Sequence, residues 1–348
     1  MNRLIHVFIL AGVLLLASCS REPSPANGGN ATVHLSAVTG ETRADAAATA
    51  EEKEIKHVDW FVSDAAGAIM DTFRGTTPSE TFTLSTGNYS FMALANLPTE
   101  APAVSDLSLD DYKASIEVSF KECFAGATWN GFAMRSNPVA VELTQDKNVT
   151  IDMVRIASKV VLEGGVTFDI SPASSLAPLP KEIKSVFLTN IPEKVNAYTG
   201  DMVGTEYVND ASSESFVPGC LSADGIPTAL MPEKTWSLGA GQAVLYGHPN
   251  KAVQSGDVYT QDMTTKLVVC GKIGDEIMYW PVSIPGLGSN NIVTISGITI
   301  TGRGSSGPND YLQDNSAVRF RATLEPWEWW YPEGEDDEGL VLIFGNAE

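Results

Sequence analysis

The chain has 348 residues, of which 43% are apolar, and a formal net charge of -21, with 22 Lys and Arg against 43 Asp and Glu. The composition is that of a folded globular protein, and the length predicts two or three domains. Basic residues are too few to neutralise a row of phosphates, which excludes a nucleic-acid partner and a surface that docks on anionic lipid headgroups. Four Cys are too few for a disulfide scaffold.

The first 19 residues have the layout of a secretory signal. Arg3 precedes a ten-residue apolar run at 7–16, which is too short to span a membrane as a helix. The run leads into Leu16-Ala17-Ser18-Cys19, which resembles the lipobox of bacterial lipoproteins, although an ordinary signal peptide with an incidental Cys is the alternative. The resemblance implies that the Cys19 thiol carries a diacylglycerol and that the protein is anchored to a membrane outside the cytoplasm.

A leash and a first strand follow the signal. Residues 20–30 are rich in Pro, Gly and small polar residues, which is typical of a flexible linker. Residues 32–38 alternate between polar and apolar, and this pattern predicts a strand with Val33, Leu35 and Ala37 on one face. The next residues, 40–46, form a small, polar stretch suited to proteolysis, and Arg43 within it is the only Arg between Arg21 and Arg74.

The rest of the chain is predicted to be all-β. Gly, Pro, Asn and Asp separate short apolar runs at roughly ten-residue spacing, which is typical of β-sandwiches. Residues 44–54 are Ala-rich but have no apolar stripe, so we predict no long amphipathic helix. A boundary near Asp152 divides the body into two sandwiches in series, 44–152 and 153–330. The predicted strands are 55–62, 82–84, 89–95, 115–120, 139–143, 149–154, 159–162, 166–170, 183–188, 243–246, 266–269, 277–280, 292–300 and 318–324.

Catalytic signals are almost absent. Only His57 and His248 lie beyond the leash and first strand, and neither sits in a metal-binding or nucleophile motif. Residues 302–307 match G-x-G-x-x-G, but no helical pattern follows, so they predict a flexible loop and not a phosphate site. Cys123, Cys220 and Cys270 have no paired spacing and are interpreted as buried thiols. We therefore expect no enzyme, no cofactor and no bound metal.

Four stretches occur in an order that resembles one family, the FimA/Mfa fimbrillins, which are the type V pilins of Bacteroidetes. They are residues 87–98 (GNYSFMALANLP), 153–160 (MVRIASKV), 186–192 (VFLTNIP) and 243–250 (AVLYGHPN). The resemblance implies two transthyretin-like β-sandwich domains. It also implies a lipoprotein precursor that reaches the outer membrane, loses its first strand to an Arg- or Lys-specific protease, and polymerises.

The parts that such a route needs can be assigned in this chain. Cleavage after Arg43 would make Ala44 the new N-terminus and would release residues 20–43 with Val33, Leu35 and Ala37. The vacated sheet edge would have unpaired backbone N–H and C=O groups, which another strand can satisfy. Filling of that edge by a neighbouring subunit is donor-strand complementation.

The end of the chain supplies the candidate donor. Residues 331–339 form an acidic linker that ends in Gly339, and the donor candidates follow as Leu340, Val341, Leu342, Ile343 and Phe344. Burying five such side chains is worth on the order of 7 to 15 kcal/mol before ordering costs. The alternative is that this strand folds back into the second domain of its own chain.

These assignments predict a stalk-type subunit of a type V pilus, on the cell surface in the fimbrium. The expected partners are other copies and related pilus subunits, an Arg-specific protease, and the outer membrane through the lipid before cleavage. A tip or anchor subunit is the alternative within this class. In another class, a carbohydrate-binding surface lipoprotein would use the aromatic side chains of Trp327, Trp329, Trp330 and Tyr331.

Overall fold

The computed structural model describes residues 29–39, 50–98, 108–120, 131–208, 243–250, 254–255, 258–259, 264–284, 287–307, 318–326 and 340–344. Within these ranges nearly all of the regular secondary structure is β-strand, so the all-β prediction is confirmed. The two helices described are short: α1 is Ala50–Lys53 and α2 is Leu109–Ser115. Neither they nor any other helix of the described ranges has the length and apolar character needed to cross a membrane.

The strands of the first half form one mixed sheet. They are β1 Asn30–Thr39, β2 Val58–Asp64, β3 Ile69–Gly75, β4 Ser79–Ser85, β5 Gly87–Ala95, β6 Glu117–Ser119, β7 Met134–Ser136, β8 Val139–Leu143 and β9 Lys147–Arg155. The sheet has the order β3-β2-β5-β7-β9-β1-β4, and β8 pairs with β5. Of the strands described in the first half, only β6 lies outside this sheet. The first and last strands of the segment are therefore neighbours.

The strands of the second half pair among themselves, with one exception. They are β10 Ser158–Leu162, β11 Val166–Phe168, β12 Lys181–Thr189, β13 Ile191–Pro192, β14 Lys194–Asn196, β15 Tyr207–Val208, β16 Ala243–Gly247, β17 Gln254–Ser255, β18 Val258–Tyr259, β19 Thr265–Ile273, β20 Glu276–Ile284, β21 Asn291–Ile300, β22 Val318–Pro326 and β23 Leu340–Phe344. One sheet has the order β16-β10-β21-β22-β23 with β11 beside β21, and another has the order β12-β19-β20. The exception is β14, which pairs with β6 of the first half.

Apolar side chains from both halves join in one main core. It extends from Val33 in β1 to Val318 in β22, and the rings of Phe132 and Tyr246, with centroids 4.9 Å apart, connect the two halves. A smaller cluster includes Phe61 of β2, Tyr112 of α2 and Val195 of β14. The predicted boundary near Asp152 falls inside β9. The division into two transthyretin-like sandwiches, with limits at 44–152 and 153–330, stays a prediction.

Helix α2 shows why one predicted strand is wrong at its start. The hydroxyl of Ser108 accepts a hydrogen bond from the N–H of Asp111 and caps the helix, and acidic residues occupy its first turn. The helix runs through Ser115, and only residues 117–119 of the predicted strand at 115–120 are extended. The predicted strand therefore starts later than expected, because Ser115 still belongs to the capped helix and Ile116 is its C-cap.

Candidate functional site

The first strand fills an internal position of the first-half sheet. It pairs in parallel with β9, from Val33 beside Lys147 to Thr39 beside Met153, and antiparallel with β4, from Asn30 beside Ser85 onward. We call the position that β1 occupies between β9 and β4 the β1 slot. Among the described residues, β4 has no strand partner other than β1.

The side chains of β1 alternate between the core and the surface, as its sequence predicts. Val33 and Leu35 are 0% and 1% exposed, and Ala31 and Ala37 are also buried. His34, between them, faces solvent and its Nδ1 lies 3.0 Å from the Thr81 hydroxyl. The predicted face of Val33, Leu35 and Ala37 is thus the face that packs into the main core.

Hydrogen bonds outside the strand ladders secure both ends of β1. The Thr32 N–H donates to Oδ1 of Asp146 at 2.7 Å, and the Thr86 N–H donates to the Gly29 carbonyl at 2.9 Å. Toward the other end, the Ala37 N–H donates to the Pro78 carbonyl at 2.8 Å. These bonds add to the two ladders that hold β1 between β9 and β4.

Without β1, the sheet would be incomplete in a specific way. β4 would lose its ladder, β9 would present unpaired backbone groups along its open edge, and the core beneath would be uncovered. Any strand that replaces β1 must offer apolar side chains at alternate positions, where β1 has Ala31, Val33, Leu35 and Ala37. This requirement is chemical, and it does not depend on which chain the strand comes from.

The candidate donor strand has a different kind of position. β23 is antiparallel to β22, with Leu340 beside Leu324 and Phe344 beside Phe320. It is the terminal strand of its sheet, five residues long, with one strand partner among the described residues. The structure therefore places Leu340, Val341, Leu342, Ile343 and Phe344 in the second-half sheet of their own chain and does not bring them to the β1 slot.

Several other predicted site residues lie outside the described residues. They are Cys19, the proposed lipidation site, Arg43 and Ala44, the proposed cleavage site, and the aromatic residues from Trp327 to Tyr331. The structure describes the chain on both sides of the proposed cleavage site, up to Thr39 and again from Ala50. Both flanks are tied to the body of the protein.

The flank after the proposed cleavage site is held by a buried ionic cluster that the sequence did not indicate. Glu52 of α1 is 0% exposed, and its Oε1 lies 3.2 Å from Nζ of Lys159, which is itself buried. The Tyr246 hydroxyl donates to the same carboxylate, and Nε of Arg155 donates to the Glu52 carbonyl at 2.7 Å. Because Lys159 and Tyr246 belong to β10 and β16, the cluster connects α1 to the second-half sheet.

Two Asn residues with left-handed backbones follow buried strands. Asn96 ends β5 with φ 56°, and Asn190 ends β12 with φ 59°. Each precedes an apolar residue and a Pro, so the signal was present in the sequence as two N-x-P motifs. The side chain of Asn96 binds the Lys56 N–H at 2.8 Å and the Glu54 and Phe132 carbonyls at 2.8 and 3.0 Å.

Burial sets the protonation of three groups near the core. Burial lowers the pKa of His248 to about 4, although its hydrogen bond to the Pro192 carbonyl opposes the shift. Burial, and then the Asp59 carboxylate, raise the pKa of Tyr112. Burial also raises the pKa of the Cys270 thiol to about 11, which keeps it protonated and unreactive at neutral pH. These groups are packed in the core and are not arranged as a catalytic set.

The G-x-G-x-x-G stretch has a packing role. Ser305 exchanges two backbone hydrogen bonds with Tyr279 of β20, at 3.0 and 2.8 Å. A Cβ on Gly304 would lie 2.7 Å from the Tyr279 carbonyl, so only Gly permits this approach. At Ser305 the loop is therefore held against β20. In the described ranges, no group of three His, Cys, Asp or Glu side chains is placed to hold a metal ion.

Solved structures with this fold come from bacterial cell-surface proteins. FimA, a fimbrilin of Porphyromonas gingivalis, aligns with a TM-score of 0.56 at 15% identity, over 86% of this chain and 98% of that chain. A candidate cell adhesion protein of Bacteroides eggerthii aligns with a TM-score of 0.57 at 13% identity, over 87% and 98%. Another, of Parabacteroides distasonis, aligns with a TM-score of 0.55 at 14% identity, over 88% and 99%.

No protein-family model matches the sequence, and no curated protein matches it. At identities of 13 to 15%, the likeness to the solved structures is one of fold. The chain thus has the fold of the Bacteroidetes fimbrilins, and the resemblance predicted from residues 87–98, 153–160, 186–192 and 243–250 is confirmed at that level.

Proposed function

We propose that this protein is a structural, stalk-type subunit of a type V pilus. In this proposal the precursor is lipidated at Cys19 and cut after Arg43, and the trimmed subunits polymerise by donor-strand exchange. The observation that carries the proposal is the β1 slot. β1 lies inside the sheet, and residues 40–49 are its only covalent link to the rest of the domain. One cut in that stretch breaks the link.

The energetics of the two strand positions favour exchange once β1 has gone. As an end strand, β23 has backbone hydrogen bonds to β22 on one side only. In a neighbour's vacant β1 slot, the same five residues would have a strand on each side and a core beneath them. The gain in backbone pairing and apolar burial outweighs the loss of one edge ladder.

The same geometry explains why the uncut precursor stays monomeric. With β1 in place, the slot has no free backbone edge for another strand to pair with. The donor of one subunit and the slot of the next lie in different sheets of the chain, so the contact is head-to-tail. A contact of this kind does not close on itself and yields a fibre.

A binding experiment with a synthetic tail tests the proposal. A labelled peptide of residues 331–348 is titrated against a trimmed subunit that begins at Ala44 and lacks its own residues 340–348. We expect binding in the micromolar range or tighter, measured by fluorescence anisotropy, and no binding to the uncut precursor. The matched control is the same peptide with Leu342→Asp, which should bind at least about a hundredfold more weakly because it places a charge in the core.

The cleavage step has its own test in cells. Arg43→Ala should leave a lipidated, monomeric precursor, whereas Arg303→Ala, which removes an Arg paired with Glu276 on the surface, should process normally. N-terminal sequencing of the surface form separates the roles. A start at Ala44 supports a stalk subunit, and a lipidated Cys19 on the assembled form identifies an anchor and overturns the stalk assignment.

A further inference from the structure

Proteolysis that begins at Arg43 must not continue into the folded part of the chain. After Arg43 the next basic residues are Lys53 and Lys56, both half-buried in the described structure. A protease that accepts Arg or Lys and that continued past Arg43 would remove residues up to the start of β2. Contacts of residues 50–57 with the rest of the protein oppose such further cleavage.

We call residues 50–57 the anchor segment. Its first attachment is Glu52, whose carboxylate lies 3.2 and 3.4 Å from Nζ of Lys159 and also accepts a hydrogen bond from the Tyr246 hydroxyl. Arg155 holds the Glu52 carbonyl from the other side. Since the carboxylate and the ammonium are both buried, separating them would leave uncompensated charge in the core.

The second attachment is Asn96, at the end of β5. Its side chain accepts from the Lys56 N–H and donates to the Glu54 carbonyl, both at 2.8 Å, and its backbone N–H donates to the His57 carbonyl at 3.1 Å. The backbone that flanks Lys53 and Lys56 is therefore hydrogen-bonded on both sides of each residue. Ile55 between them packs against the main core.

Proteases cut a backbone that is locally unfolded. When local opening is fast relative to cleavage, the rate of cutting follows the population of the open state. Opening the anchor segment requires breaking the Glu52 cluster and the Asn96 hydrogen bonds together. Cuts after Lys53 and Lys56 are thus suppressed by the free energy of that opening.

We propose that the anchor segment is a proteolytic stop, which confines N-terminal trimming to the residues before Ala50, and that Glu52 is the positioning residue that keeps it closed. The biological use of this stop rests on the proposed cleavage after Arg43. The stop itself is a property of the folded chain and can be measured with any protease that accepts Arg and Lys.

Limited digestion with trypsin tests the stop. The purified precursor is digested under native conditions, and new N-termini are labelled with an amine-reactive tag and quantified by mass spectrometry over time. In the wild type we expect starts at Glu54 and His57 to form at least about tenfold more slowly than starts at Ala44. In Glu52→Gln, starts at Glu54 and His57 should form at least about tenfold faster than in the wild type.

Two further variants make the result specific. Glu54→Gln changes the same chemical group two residues away, where the side chain is half exposed and pairs only weakly with Lys56 at 3.7 Å, and it should behave as the wild type. Tyr246→Phe removes only the hydroxyl from the Glu52 cluster and keeps the ring packing, and it should speed the cuts by a smaller factor. If Glu52→Gln does not fold, judged by circular dichroism, Tyr246→Phe decides the question.

The stop is overturned if folded Glu52→Gln and Glu54→Gln are cut after Lys53 and Lys56 at equal rates. It is also overturned if the wild type is cut after these two residues as fast as after Arg43. A third outcome is that Glu52→Gln speeds the cuts after Lys53 and Lys56 although the chain is never cut after Arg43. It supports the stop and counts against the proposed maturation at Arg43, so the two ideas fail separately.

Discussion

At the scale of single residues, Asn96 shows how one side chain can organise three segments. It follows β5 with a left-handed backbone that suits Asn better than most residues, and its side chain binds the anchor segment and the Phe132 carbonyl. Gly131 is close enough that a Cβ there would lie 2.5 Å from Nδ2 of Asn96. The side chain therefore has no space to be replaced by a larger group.

We expect Asn96→Ala to lower the free energy of unfolding by about 4 to 5 kcal/mol. The loss combines three hydrogen bonds of roughly 1 kcal/mol each with the strain of a left-handed Ala. Urea denaturation followed by circular dichroism measures it. Asn88→Ala, at an exposed position of β5, is the matched control and should change stability by less than about 0.5 kcal/mol. Equal effects of the two variants would show that the Asn96 network is not stabilising.

His248 gives the protein a stability that depends on pH. Its pKa in the folded chain is about 4, below the ordinary 6.5, because burial disfavours the charged ring. The unfolded chain therefore binds the extra proton first as the pH falls. The stability from the neutral ring is complete above pH 6.5 and is lost as the pH falls toward 4, by on the order of 3 kcal/mol.

Replacing the ring should flatten this dependence. His248→Asn keeps a donor for the Pro192 carbonyl and cannot be protonated, so its unfolding free energy should fall less between pH 6.5 and 4 than that of the wild type. The measurement is a series of urea titrations across that range. His34→Asn, at an exposed position of β1, should keep the wild-type profile. A His248→Asn profile as steep as the wild type would contradict the assignment.

At the scale of elements, the position of β1 determines what its two faces tolerate. Leu35→Asp places a carboxylate in the main core and should destabilise the precursor by about 3 to 5 kcal/mol, whereas His34→Asp on the outer face should cost less than about 1 kcal/mol. The difference between the urea midpoints of the two variants measures this contrast in stability. In the proposed function, Leu35→Asp also loosens β1 and should let the uncut precursor bind the tail peptide.

The first and last described strands of the chain differ in pattern and in position. β1 alternates apolar and polar residues and has partners on both sides, whereas all five residues of β23 are apolar and it has one strand partner among the described residues. Pairing on both sides holds β1 in its sheet. An edge strand with one ladder can leave its sheet at lower cost, which suits the donor proposed here.

At the scale of the whole molecule, the proposed head-to-tail contact predicts how defective subunits would behave. A subunit without residues 340–348 keeps its β1 slot but has no donor, so it can join one end of a fibre and stops further growth there. Adding this variant at about one tenth of the wild-type amount should shorten the fibres seen by electron microscopy. The control is the same truncation combined with Arg43→Ala, whose slot stays filled, and this variant should have no effect.

The net charge of -21 also acts at this scale. Like-charged subunits repel one another over distances of about 10 Å at moderate salt, which opposes unspecific association. A specific strand exchange is short-ranged and is little affected. A net charge of one sign thus favours a specific contact over unspecific association. This charge is a property of the composition and does not depend on the fold.

The sequence by itself determined the elements of this protein. Alternation of apolar residues with turn residues between them located most of the strands, including β1, whose inward face was predicted residue by residue as Val33, Leu35 and Ala37. This was possible because the direction of a side chain in a strand depends only on its place along that strand. The anchor segment and α2 were missed because they are too short for a period in the sequence to stand out.

Only the tertiary structure decided which elements meet. It placed β1 between β9 and β4, brought Glu52 to Lys159 and Tyr246, and paired β23 with β22 in its own chain. These contacts join residues separated by as many as 194 positions, and nothing local in the sequence specifies them. Strand partners and buried ion pairs are chosen by the packing of the whole chain, because their free energy exists only when distant surfaces are brought together and water is excluded.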